Sequence, residues 1–348
     1  MLADVTASEA VPAPPALTPR PVAASLDELL ADATDRHPFA HSDSKSGVGF
    51  EHVTIDGEPH IVKHVHIDDD WTMRFFHETT CIPLEVWRAG LMDVAPDHVE
   101  HGVVAVAGGL GRDGLGAALL MRDLGDALVP AGDDPISLED HLALLDALAA
   151  LAARMWGWQG DDRLLPFENR WVAFGDDDID AEEARGFPDP VPRIAQQGWS
   201  QFVERAPRAA RDIVLDLRRD LSPLVAAVAT TPRTFLHGDW KMGNLGVTTD
   251  RRAVLLDWTY CGSGPVCHEL GWYLAINNAR LPHSKEDAID ALRHALERHG
   301  VATDGWWERQ RDLCLLGSLV QFGWEKALGD DDELGWWCDR AREGARHL

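Results

Sequence analysis

The stretch Thr234-Phe235-Leu236-His237-Gly238-Asp239-Trp240-Lys241-Met242-Gly243-Asn244, followed by Ala253-Val254-Leu255-Leu256-Asp257, decides how the rest of the chain is read. Both halves share one grammar, a short apolar run with strand character that delivers polar residues at its end. The first run leads into a His-Gly-Asp turn with an Asn five residues after the Asp, and the second ends on an Asp. Gly238 lets the backbone turn tightly, and His237 is expected to hold the loop in shape through hydrogen bonds.

These residue types suit phosphoryl transfer from ATP, which needs few protein parts. One carboxylate must orient an acceptor hydroxyl, and oxygen ligands must hold Mg²⁺ against the phosphates. Asp239 fits the first role, Asn244 and Asp257 fit the second, and Lys241 places a positive charge beside the transferring group.

His-Gly-Asp, four residues and Asn, then an apolar strand ending in Asp257-Trp258, resembles the aminoglycoside phosphotransferase family of protein-kinase-like small-molecule kinases. The spacing of His237, Asp239, Lys241 and Asn244 is also similar to the catalytic loop of protein kinases. Asp257 is followed by Trp258-Thr259 and no Ala-Pro-Glu sequence occurs downstream, which favours the small-molecule enzymes. The resemblance implies an α+β, bilobal protein-kinase-like fold with a β-rich first lobe and a mainly helical second lobe. It makes Asp239 the catalytic base and Asn244 and Asp257 the Mg²⁺ ligands. It asks for a strand Lys on the α- and β-phosphates, which is Lys63, and for a helical Glu to hold that Lys. Glu85 is preferred for this and Glu78 is the alternative. The turn Asp43-Ser44-Lys45-Ser46-Gly47-Val48-Gly49 would cover the phosphates through Ser44, Ser46 and Gly47, and Met121 to Asp123 would be the linker that meets the adenine. Glu269, where the family has an Asp, would brace the loop. The acceptor implied is a hydroxyl on an aminoglycoside, amino sugar or sugar; a nucleotide-binding pseudokinase is the alternative.

Outward from this centre, residues 1–24 are rich in Ala and Pro and read as a disordered arm. Residues 25–122 form the nucleotide-binding lobe. Its runs Gly49–Ile55 and His60–Ile67 meet at Asp56-Gly57, a hairpin signal. A helical stretch from Asp70 to Met92 and strands at 103–107 and 117–122 follow. Residues 123–348 form the second lobe, with helices expected over 138–156, over 199–229 with a break near Pro223, and from Glu286 onward. Gly109 to Gly114 is a literal GxGxxG, but a short apolar run follows it where a dinucleotide site needs a helix, so it reads as a hairpin turn. His60, His64 and His66 lack the carboxylate or Cys that would complete a zinc site.

The net charge of -26 repels nucleic acid and anionic lipid and would draw a cationic small molecule. Five cysteines without a CxxC pair suit a reducing, cytoplasmic setting, and no apolar run is long enough to span a bilayer. Tryptophans beside carboxylates near the C-terminus, Trp306-Trp307, Trp324 and Trp336-Trp337, could serve either an acceptor platform or helix packing.

Overall fold

The computed structural model describes residues 12–39, 49–186 and 189–348. A short helix, α1 (Leu26–Leu29), precedes strands β1 (Thr34–Phe39), β2 (Phe50–Ile55) and β3 (Glu58–Val65). The β2–β3 hairpin turns on Asp56 and Gly57, with φ of 53° and 81°, the backbone that a two-residue hairpin loop demands. Next come two helices, α2 (Trp71–Phe75) and α3 (Ile82–Ala89). The single helical stretch expected here is interrupted by His77, whose φ is 56°, and Pro83 opens α3 from its first turn.

Strands β4 (Val99–Glu100), β5 (Val103–Leu110) and β6 (Gly116–Arg122) complete the first lobe. The antiparallel sheet runs β1-β2-β3-β6-β5, and Gly109 to Gly114 lies in the β5–β6 hairpin connection. One sheet face packs Val53, Val62, Ala118 and Leu120 beneath Leu29 of α1 and Leu30 just after it. The other joins Val65, Val106 and Leu119 to the main core with Leu84 and Trp87 of α3. Because strand side chains alternate, Lys63 shares this inner face with Ile61 and Val65 and points toward the cleft between the lobes.

The end of the segment expected to be a free arm is docked. The Arg20 amide donates to the Arg88 carbonyl at 3.1 Å and the Ala23 amide to the Val106 carbonyl at 2.9 Å. The Trp87 indole donates to the Pro21 carbonyl at 2.7 Å, and Arg20 pairs with Asp93. Alanine and proline carry little side-chain information, so composition did not reveal these backbone contacts.

The second lobe begins with α4 (Leu138–Arg154), α5 (Glu168–Val172), α6 (Asp176–Ala184), α7 (Val191–Arg205), α8 (Arg208–Arg219) and α9 (Ser222–Val228). The break expected near Pro223 is doubled. Pro207 stands immediately before α8, and Pro223 sits in the first turn of α9. Four short strands carry the loop region: β7 (Thr234–Leu236), β8 (Leu245–Val247), β9 (Ala253–Leu255) and β10 (Gly262–Gly264). β7 pairs antiparallel with β10, while β9 lies between β8 and β4, so the first lobe reaches into the second by one short parallel ladder. The chain finishes with α10 (Val266–Ile276), α11 (Lys285–Arg298), α12 (Trp307–Leu328) and α13 (Asp331–Gly344).

α12 is the centre of this lobe and is buried along nearly its whole length. Trp307, Trp324 and Trp337 are core residues. Trp336 is half-buried, with Lys285 over its ring and its indole donating to Glu286 at 2.6 Å. These side chains therefore serve helix packing, where removing a buried Trp costs about 3–5 kcal/mol.

Candidate active site

The β7 strand delivers His237 into a fully buried position, where burial pushes its pKa down to about 4. The ring is therefore neutral, and its Nδ1 accepts the Asp239 amide at 3.2 Å. Its edge meets the Trp258 ring at a centroid distance of 5.0 Å. Gly238 has φ of 85°, and a Cβ there would run into the Tyr260 carbonyl. Glycine is thus required twice over, by conformation and by space.

Asp239 is 1% exposed. Its Oδ2 accepts Asn244 Nδ2 at 2.7 Å and faces Lys241 Nζ at 2.9 Å. Its Oδ1 has no hydrogen-bond partner among the described residues. Further bonds fix the loop. The Met242 amide donates to Asn277 Oδ1 at 2.9 Å, and the Leu256 amide donates to the Asn244 carbonyl at 2.8 Å, which ties the loop to the end of β9.

Asp257 follows β9 in the left-handed region, φ 63°, a conformation Asp tolerates better than most residues. Its Oδ1 accepts Lys63 Nζ at 2.7 Å and also takes the Thr259 hydroxyl. Burial disfavours its charge, but Lys63 and Lys241 outweigh burial and hold the carboxyl well below the usual range. Burial likewise opposes the charge on Lys241, yet Asp239 and Asp257 raise its pKa above the ordinary lysine value.

The first lobe corrects one expectation. Glu85 turns away from Lys63, pairing with Arg88 and, at 2.9 Å, with Arg163. Glu78 is buried with both carboxyl oxygens lacking a partner among the described residues. Burial, reinforced by Asp70 and Asp257, pushes its pKa well above the usual carboxylate value, while Lys63 acts the other way. Asp70, which the sequence reading did not single out, caps α2 by accepting the Thr72 amide at 2.8 Å and lines the same cleft.

The cleft encloses about 390 Å³. Ile61, Met121, Leu128 and Leu256 form an apolar part; Lys63, Lys241, Asn244 and Asp257 form the polar end. Of the residues expected to link the lobes, Met121 and Arg122 end β6, the Arg122 amide donates to the Gly102 carbonyl at 2.9 Å, and Asp123 Oδ1 accepts the Gly125 amide at 3.0 Å. Ser44, Ser46 and Gly47 lie outside the described residues.

Glu269, on α10, accepts the Gly238 amide through Oε1 at 2.6 Å. Burial pushes it up to about 7. Near it lies a buried arginine that sequence reasoning missed, Arg170 of α5, whose position behind the loop no local motif announces.

The histidines of β3 and its end do not converge. His64 bonds Glu51 at 2.7 Å, whereas His60 and His66 contact backbone carbonyls of Glu58 and Arg112. Among the described residues no group of three or more His, Cys, Asp or Glu is placed to hold a metal ion. A magnesium–nucleotide site asks for less, one or two protein oxygens completed by phosphates and water. The carboxylate of Asp257 beside the carboxamide of Asn244 fits that demand, and the Lys63 ammonium already supplies a positive charge at the carboxylate. All five cysteines are free and buried, and among the described residues no helix is long and apolar enough to cross a membrane.

A bilobal protein-kinase-like fold with this loop at its cleft defines a class, and comparison with known proteins agrees. The model of the phosphotransferase enzyme family (APH) matches residues 85–306, and the chain belongs to that family. It is a small-molecule phosphotransferase by that membership. Among solved structures, a microcompartment-associated aminopropanol kinase is similar at 14% identity and a TM-score of 0.51, over 89% of this chain and 90% of that one. Choline kinase LicA from Streptococcus pneumoniae is similar at 10% identity and a TM-score of 0.50, over 93% and 98%. At these identities the likeness is one of fold. No curated protein matches the chain in sequence.

Proposed function

We propose that this protein transfers the γ-phosphoryl group of ATP to a hydroxyl of a small molecule, an aminoglycoside, amino sugar or sugar, with cationic acceptors favoured. The observation that carries this reading is the state of Asp239. One carboxylate oxygen is tied by Lys241 and Asn244, two residues that line the cleft, and the other is buried without a hydrogen-bond partner among the described residues. That is the arrangement a base needs, an aimed carboxylate with one oxygen for the acceptor's hydroxyl.

In the proposed step the acceptor hydroxyl gives its proton to Asp239 as its oxygen bonds to the γ-phosphorus. The bond from that phosphorus to the β–γ bridging oxygen breaks, and ADP leaves. Lys63 holds the α- and β-phosphates, and Lys241 offsets charge developing on the transferred group. Asn244 and Asp257 would hold Mg²⁺, which when bound neutralises phosphate charge. The apolar part of the cleft, with Ile61 and Leu256, suits a purine ring. A net charge of -26 favours a cationic acceptor by raising its local concentration.

The test is an ADP-release assay with ATP and Mg²⁺ over aminoglycosides, amino sugars, sugars and amino alcohols. The expected result is acceptor-dependent ADP release, strongest with amine-bearing acceptors. ADP release at the no-acceptor rate across the whole set would contradict it.

A further inference from the structure

Arg170 has no evident reason to be charged if it serves packing alone. It is 1% exposed, and none of its guanidinium nitrogens has a hydrogen-bond partner among the described residues. Its contacts are ring faces, Trp272 at 3.7 Å, Tyr260 at 5.2 Å and Phe76 at 5.8 Å. Five N–H donors removed from water without partners are costly, and a methionine of similar length would fill the same space without that cost. Stacking on Trp272 recovers only part of it.

A second orphan lies in the same region. Glu269 commits Oε1 to the Gly238 amide, and its Oε2 is buried without a hydrogen-bond partner among the described residues. The negative charges that act on Arg170 are first Asp239 and then Glu269. No hydrogen bond joins the two among the described residues; the guanidinium stacks on Trp272, which lies about one turn from Glu269 on α10, so they act on each other as buried opposite charges. Resting on the phosphotransferase reading above, we infer that Arg170 is a positioning residue of the catalytic loop. Its guanidinium is the countercharge to Glu269, and the charged Glu269 in turn holds the Gly238 amide and so the placing of Asp239.

The groups that bear on Glu269 come from several elements. Arg170 on α5 and the backbone amides of Gly238 and His237 favour its charge, while burial and Asp239 oppose it. The Cys261 thiol is pushed well above its ordinary value, first by burial and then by Glu269, so it stays neutral. His268, the neighbour on α10, is pushed well below the usual histidine range by burial and then by Arg170. Arg170 is thus the one cation in this set. Its loss should shift Glu269 toward the protonated form near neutral pH, with a weaker hold on the Gly238 amide.

The experiment is a double-mutant cycle on the full chain with Arg170→Met, Glu269→Gln and the combination, read by kcat against pH and by thermal unfolding midpoints. Arg170→Met alone is expected to lower kcat at pH 7 by about 10-fold and to move the acid limb upward by about one pH unit, with KM for ATP unchanged. In the Glu269→Gln background the same replacement should change kcat by less than about 2-fold, because no buried negative charge is left to balance. Equal costs in both backgrounds would mean that Arg170 only fills space and would overturn the inference. If Arg170→Met does not fold, Arg170→Lys should keep the wild-type limb and Glu269→Gln should abolish it; a limb that persists in Glu269→Gln overturns the inference as well. The midpoints require no acceptor. Absence of turnover in every protein would therefore count against the phosphotransferase reading, whereas additive midpoints would count against Arg170.

Discussion

The two walls of the cleft are built to different standards. On the second-lobe side the loop from His237 to Asn244 is wired from every direction. Glu269 holds Gly238, Asn277 holds Met242, and Asn244 and Lys241 hold one oxygen of Asp239. On the first-lobe side Asp70 is held by Thr72, but Lys63 and Glu78 have no side-chain hydrogen bond within their own lobe among the described residues. Lys63 crosses to Asp257, and the buried Glu78 carboxylate has no hydrogen-bond partner among the described residues. A prewired loop costs no reorganisation when the reaction occurs, which is how electrostatic stabilisation works best. On the proposed function the first-lobe groups should rearrange when a nucleotide arrives, with Lys63 leaving Asp257 for phosphate and Glu78 gaining a partner.

This contrast can be broken by substitution. Asp239→Asn keeps the shape of the wired side and removes the proposed base, so kcat should fall by about 10³-fold while the Kd for ATP holds. Normal turnover in this variant would remove Asp239 from its role. Lys63→Met acts on the adjustable side and should lower kcat/KM for ATP by about 10- to 100-fold through the lost charge-assisted contacts. An unaltered KM with a lower kcat would show that Lys63 does not hold the ground-state phosphates. Glu78→Gln should raise KM for ATP by about 10-fold, whereas Glu85→Gln should leave it at the wild-type value. The reverse pattern would restore Glu85 as the partner of Lys63.

The smallest effect concerns pH. Glu269 titrates at about 7, so its charged form is lost as pH falls through 7, and kcat should drop several-fold between pH 8 and pH 6. Stability should move the opposite way. Between the ordinary carboxylate range and about pH 7 the folded protein keeps a proton that the unfolded chain has lost, so stability falls as pH rises through that window. Glu269→Gln should flatten both curves, and a wild-type acid limb in that variant would assign the titration elsewhere.

The wired side was legible in the sequence because its chemistry is compressed. His237, Gly238, Asp239 and Asn244 lie within one turn, and Asp257 ends the next apolar strand. Fold class followed from the same residues. The adjustable side was harder to read because it depends on which way short helices face. Glu78 and Glu85 are both near Lys63 in sequence, and the reversal at His77 and the helix opened by Pro83 decide which of them turns inward. β1 escaped notice because Asp35, Arg36 and Pro38 are poor strand formers, tolerated at an exposed edge where Pro needs no ladder partner. Arg170 and Glu269 are far apart in sequence, and no local spacing predicts that a helix in the second lobe brings a cation behind the loop.

The most direct measurement is a calorimetric titration with a nonhydrolysable ATP analogue, with and without Mg²⁺, of the wild-type protein and of Asp257→Ala. If one wall is prewired and the other rearranges around a metal–nucleotide complex, the wild type binds in Mg²⁺ and binds far more weakly without it. Asp257→Ala should lose at least about 100-fold in affinity in Mg²⁺ and should show little further loss when the metal is withdrawn. No binding by the wild-type protein in Mg²⁺, or equal affinity and equal Mg²⁺ dependence in both proteins, would contradict the account.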